Sequence, residues 1–158
     1  MFELLFSFFL IVLFFLVLAI TWRKNARKYI SSGTVASAYD AWTQDKLLER
    51  LWGEHIHLGF YPSGEKNIDF RNAKVQFVHE LVKWSGLDKL PQGSRILDVG
   101  CGIGGSSRIL AEYYGFNVTG VTISPAQVKR ARELTPHGLN CHFQVMDALD
   151  LKLSLIHI

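Results

Sequence analysis

The 158-residue sequence is poor in cysteine: Cys101 and Cys141 are its two, and no Cys-x-x-Cys pair occurs. That scarcity excludes a disulfide scaffold and a zinc ribbon, and it fits a reducing compartment. Residues 31–158 also lack any charge excess, with 13 basic residues against 13 acidic. A nucleic-acid partner would need a basic face on the folded part, so none is expected. Internal repeats are absent, and enough Leu, Ile, Val and aromatic residues remain for a core, which argues against disorder.

The positive excess is local. Arg23, Lys24, Arg27 and Lys28 lie together, just after residues 4–20, which carry no charge and one polar residue, Ser7. As a helix, residues 4–20 span about 26 Å, and Thr21 and Trp22 extend this to about 28 Å, close to a bilayer core. No basic residues precede the run, and Trp22-Arg23-Lys24 stands where a signal peptide would be cut. An uncleaved transmembrane helix is therefore expected over 1–22, followed by a basic linker over 23–34. The basic side should stay cytoplasmic, next to anionic membrane lipid, with everything after it on that side.

Residues 35–90 read as a helical lid or substrate segment. One helix is expected over 35–52, a loop over 54–66, and an amphipathic helix over 70–85 stopped by Gly86. From Pro91 the pattern changes to strands at 95–100, 117–122 and 141–146, alternating with helices at 106–114 and 125–134. Ser124-Pro125-Ala126-Gln127 supplies an N-cap, a proline at the first helical position and a capping-box glutamine. The order β-α-β-α-β predicts an α/β fold with a parallel sheet and right-handed crossovers.

Ile96-Leu97-Asp98-Val99-Gly100-Cys101-Gly102-Ile103-Gly104-Gly105 runs from a buried strand into a glycine turn and a helix. Such a turn bends sharply and lets a ligand approach the backbone. Gly100, Gly102 and Gly105 satisfy the dinucleotide spacing, but residues 120–124, Gly-Val-Thr-Ile-Ser, hold no acid for a ribose. A P-loop is excluded because no Gly-Lys-Ser/Thr follows. Asp98, at the strand tip, suits the cationic methionine end of S-adenosylmethionine. Asp147, just past the third strand, suits its adenine amino group.

Asp98–Gly105 resembles motif I of class I S-adenosylmethionine-dependent methyltransferases. Tyr39-Asp40-Ala41-Trp42, Trp52-Gly53-Glu54-His55-Ile56-His57-Leu58-Gly59, Val78-His79-Glu80 and Gly120-Val121-Thr122-Ile123-Ser124-Pro125 are similar to the cyanobacterial 2-methyl-6-phytylbenzoquinone methyltransferases, relatives of the tocopherol methyltransferases. The resemblance covers about residues 35–150. It implies a doubly wound, Rossmann-like domain over 91–152, preceded by the helical segment and the anchor. It also implies methyl transfer to a ring carbon of a prenylated quinol. Thr122 and Ser124 then stand where other methyltransferases place an acidic ribose ligand. Gly100, Gly102 and Gly104 with Cys101 would form the cofactor turn, and Tyr39 and Ala148 complete the candidate cofactor set.

His55, His57 and Tyr61 are the candidates for a base or a substrate wall. Two residues apart, the histidines share one face of an extended segment, but no third ligand is spaced to make a metal site. His79 reads as a packing or surface residue. Cys101 reads as a small residue fitting the turn, not as a nucleophile, and Cys141 as a buried strand residue. Residues 153–158 depart from the family and read as a non-native tail on a C-terminally truncated chain. Competing readings are a methyltransferase of another lipid acceptor (a sterol or phosphoethanolamine type), an NAD(P)-dependent oxidoreductase, or an inactive fragment.

Overall fold

The computed structural model describes residues 2–25, 31–63 and 67–153, in two units divided between residues 30 and 31. The expected tail at 153–158 lies outside the described residues from 154 onward. The first unit is helix α1, Phe2–Asn25. Its described apolar side chains, Phe8 and those between residues 10 and 20, are exposed. Thr21 hides its hydroxyl on the helix, donating to the carbonyls of Val17 and Leu18 at 2.9 Å. Among the described residues no helix is long and apolar enough to cross a membrane, so the span expected over 1–22 is not shown by them.

The second unit begins with α2, Ser32–Gln44, and α3, Leu47–Trp52. A single helix was expected here; it breaks at Asp45 and Lys46. Lys46 takes φ 55°, the one non-glycine residue at positive φ among those described. Asp45 then restarts the helix by accepting the Leu47 amide at 2.8 Å, a local bond that competes with helix continuation. Helix α4, Phe70–Ser85, matches its expected bounds. Asp69 caps it through the Arg71 and Asn72 amides, both at 3.1 Å, and Gly86 ends it in the left-handed conformation. A short 3-10 turn, Leu87–Lys89, follows.

Strands β1, Arg95–Val99, β2, Asn117–Thr122, and β3, Cys141–Val145, form a parallel sheet in that order. Helices α5, Gly105–Tyr114, and α6, Pro125–Leu134, are the crossovers. The core gathers Phe116, Val118, Leu110, Val128, Ala131 and Phe143 with Val82 of α4. One ion pair brings the helical segment to this sheet, and one lysine ties the segment together. Arg130 of α6 grips Glu49 of α3 with two bonds, at 2.6 and 2.9 Å, the bidentate geometry that makes arginine–carboxylate pairs specific. Lys74 of α4, nearly buried, donates to the carbonyls of Trp52 and His55 at 2.9 and 2.8 Å.

β1 has one strand neighbour among the described residues. Its other side borders an apolar groove of about 370 Å³, lined by Phe77, Val78, Leu81, Trp84, Leu97 and Val99 among others. Trp84 is 87% exposed there and Val99 49%. Truncation of the most central ring, Phe116→Ala, removes a side chain that is 1% exposed. It should cost about 3–5 kcal/mol, read as a lower urea midpoint at unchanged slope.

Candidate cofactor site

At the C-terminal end of the strands, the glycine turn opens onto a cavity of about 320 Å³, within the size range of ligand pockets. Gly100 and Gly102 line it, as do Tyr39, Thr122, Asp147 and Ala148 from the expected set. Gly100 and Gly102 adopt φ 77° and 56°, and a Cβ added to either would meet no atom within 4 Å. Their bareness therefore serves the backbone conformation and the open space in front of it, not internal packing.

Other expected residues turn elsewhere. Gly104 faces the core, where an added Cβ would sit 2.6 Å from the Phe143 ring. Cys101 is buried in the same core, and burial pushes its thiol up to about 12. The Cys141 thiol rises to about 11 for the same reason, so neither is a ready thiolate at neutral pH. Ser124 is fully buried and caps α6: it accepts the Gln127 amide at 3.1 Å and donates to Asp40 at 2.5 Å.

Asp98 does not line this cavity. It accepts from Ser107 Oγ at 2.6 Å and lies in the apolar groove, beyond Val99, which walls both spaces. Burial pushes its carboxyl up, while the Ser107 bond and the nearby His57 oppose the shift.

Two residues outside the expected site set support the cavity. Gln127 lines it; its Oε1 accepts from Thr122 Oγ1 at 2.7 Å, which leaves the amide donors of the carboxamide to offer. Thr122 has spent its hydroxyl hydrogen on that bond and accepts from the Ser124 amide at 3.3 Å. Asp40 also takes the Ala126 amide at 3.0 Å, which caps α6 and ties α2, whose Tyr39 lines the cavity, to it. The capping-box pattern at 124–127 pointed to Gln127 but assigned it to the helix. Asp40 is 84 residues from Ser124, beyond any local signal.

The candidate bases lie apart from the glycine cavity. Tyr61 is exposed. His55 lines a larger polar cleft of about 690 Å³, and His57 lines the apolar groove. The two rings are joined, His57 Nε2 to His55 Nδ1 at 3.2 Å, with His57 Nδ1 donating to the Leu58 carbonyl at 2.8 Å. His79 packs between helices, hydrogen-bonded to Tyr114 at 2.7 Å. Among the described residues no group of three His, Cys, Asp or Glu side chains could hold a metal ion.

The His55 imidazole is pushed down to about 4, first by burial and then by His57, with Glu54 opposing and Arg108 and Lys74 adding to the fall. The unfolded chain binds that proton near pH 6.5. Stability should therefore be full above about pH 6.5 and fall as pH drops toward 4, by on the order of 2 kcal/mol. Urea denaturation at pH 7 and pH 4.5 should show this loss in the parent protein and a smaller one in His55→Gln.

Residues 96–155 match the family model described as a methyltransferase domain. The chain is 60% identical over 127 residues to the 2-methyl-6-phytyl-1,4-hydroquinone methyltransferase of Synechocystis, a match covering 80% of this chain and 40% of that protein. It is 39% identical over 114 residues to the chloroplastic tocopherol O-methyltransferase of Arabidopsis thaliana, covering 66% of this chain and 33% of that one. The chain thus spans less than half the length of either relative. Among solved structures, the [4+2]-cyclase SpnF superposes with a TM-score of 0.65 at 28% identity, over 78% of this chain and 45% of that chain.

Proposed function

We propose that the chain belongs, through its residues 96–155, to the class I methyltransferases, to which its match with a methyltransferase domain and its 60% identity to a methyltransferase point, and that its protein transfers a methyl group from S-adenosylmethionine to a ring carbon of a prenylated benzoquinol. The observation that carries the cofactor reading is the glycine cavity itself, which combines open backbone at Gly100 and Gly102 with Gln127 in the first turn of α6 and Asp147 past β3. The amide of Gln127 suits ribose hydroxyls, and the Asp147 carboxylate suits the adenine amino group. Tyr39 and Ala148 line the same cavity. When bound, the cofactor supplies an electrophilic methyl on a sulfonium; the protein's part is to hold the acceptor in line with it and exclude water. A base that takes the phenolic proton raises the nucleophilicity of the ring. Of the three candidates His57 lies in the groove that Val99 shares with the cavity, and to take that proton its Nε2 must first release His55 Nδ1.

The acceptor class rests on the 60% identity to an enzyme named for a phytylated hydroquinone. The fold carries less weight, since a cyclase shares it. The apolar, singly paired edge of β1 supports reading residues 91–152 as the N-terminal half of a doubly wound sheet. The uncharged run at 4–20 and the basic residues at 23–28 support an N-terminal membrane anchor with the catalytic part on the cytoplasmic side, near a substrate whose prenyl tail is lipid-soluble.

Calorimetric titration with S-adenosylhomocysteine should show saturable binding, weakened about tenfold by Gln127→Leu, the loss of about one good hydrogen bond. Affinity for NADH without affinity for the homocysteine nucleoside would reject the assignment. In the protein that carries this chain, a labelled methyl should pass to a prenylated hydroquinone. Transfer confined to sterols or phosphoethanolamine would reject the acceptor and keep the chemistry.

A further inference from the structure

The glycines that make the cofactor turn also make it soft. Gly104, at positive φ and without a Cβ, forms one end of the Ile103–Gly104 peptide plane, which lowers the steric barrier to its rotation on that side. That plane is pinned at both ends. Gly104 N donates to the Cys101 carbonyl at 2.9 Å, and the Ile103 carbonyl accepts from Arg108 Nη1 at 2.8 Å. The Arg108 side chain is 9% exposed, and its Nη2 is paired with the Glu54 carboxylate. Glu54 belongs to the segment between α3 and α4. This segment rests on the start of α5: a Cβ added at Gly105 would lie 2.9 Å from the Glu54 carbonyl oxygen and 2.8 Å from His55 Cε1. Lys74 holds it from the other side through the Trp52 and His55 carbonyls.

We infer that Arg108 and Glu54 are a positioning pair that couples docking of residues 53–57 to the shape of the cofactor turn. Without Glu54, Arg108 is a nearly buried cation whose charge lacks a partner, and its hold on the Ile103 carbonyl weakens. A ligand that needs the pinned turn then favours the docked segment, and the docked segment favours the ligand by the same factor. The inference rests on the cavity being a nucleoside site.

Hydrogen exchange over residues 53–57, with and without S-adenosylhomocysteine, tests the coupling alongside calorimetric affinities. In the parent protein the nucleoside should slow exchange in this segment. E54Q should bind it about tenfold more weakly and lose the slowing, and E54D should keep most of both. Glu54 is half exposed, so E54Q perturbs folding less than R108A. Equal affinity in E54Q, with or without a lower thermal midpoint, overturns the coupling and leaves the nucleoside site standing. So does unchanged exchange in the parent on binding. A parent protein that does not bind the nucleoside at all overturns both.

Discussion

One aromatic ring sets the geometry on which the site depends. Asp98, Gly120 and Phe143 stand in one row across the sheet. Because Gly120 has no side chain, the Phe143 ring lies over the middle strand; a Cβ there would meet it at 2.7 Å and Cys101 Cβ at 3.0 Å. The same ring reaches Gly104, where a Cβ would come within 2.6 Å. Phe143 thus packs beneath the turn and fixes its height above the strands. The glycines divide accordingly: Gly104 and Gly120 admit the ring, while Gly100 and Gly102 face open space.

Around that fixed turn the molecule keeps three different environments apart. The glycine cavity is small and mixed in character, the groove along β1 is apolar, and the cleft between α4 and α5 carries charge. The segment from Gly53 to Leu58 divides the last two, with His55 on the cleft side and His57 on the groove side. Charge in this region is held by specific partners: Glu54 by Arg108, Glu49 by Arg130, and Asp98 by a serine hydroxyl. The Arg130 bonds hold the Glu49 carboxyl below its usual range. Such pairs fix the orientation of the helical segment more than they stabilise it, since partly exposed ion pairs contribute little net energy.

Local patterns carried the fold. The strand–turn–helix at 95–114, the proline-started helix at 125–134 and the capped helix at 70–85 each rest on neighbouring residues, and each formed as expected. The break at Lys46 was not legible, because apolar spacing runs on through 47–52 and the interruption is one backbone angle. Glycine spacing located the turn but could not say which glycine faces a ligand and which faces a ring; Phe143 decides that from 39 residues away. For the same reason Ser124 and Cys101 belonged to the right motif yet turned inward. Asp40 and Gln127 act through contacts that only the folded chain makes.

The central claim is that the bare turn between β1 and α5 cradles a sulfonium nucleoside. A crystal structure of the protein grown with S-adenosylhomocysteine tests it most directly. The account predicts the adenosine between Tyr39 and Asp147, its ribose at Gln127, and the amino-acid end over Gly100 and Gly102. Nucleoside density in the charged cleft between α4 and α5, with the glycine turn bare at saturation, would contradict it.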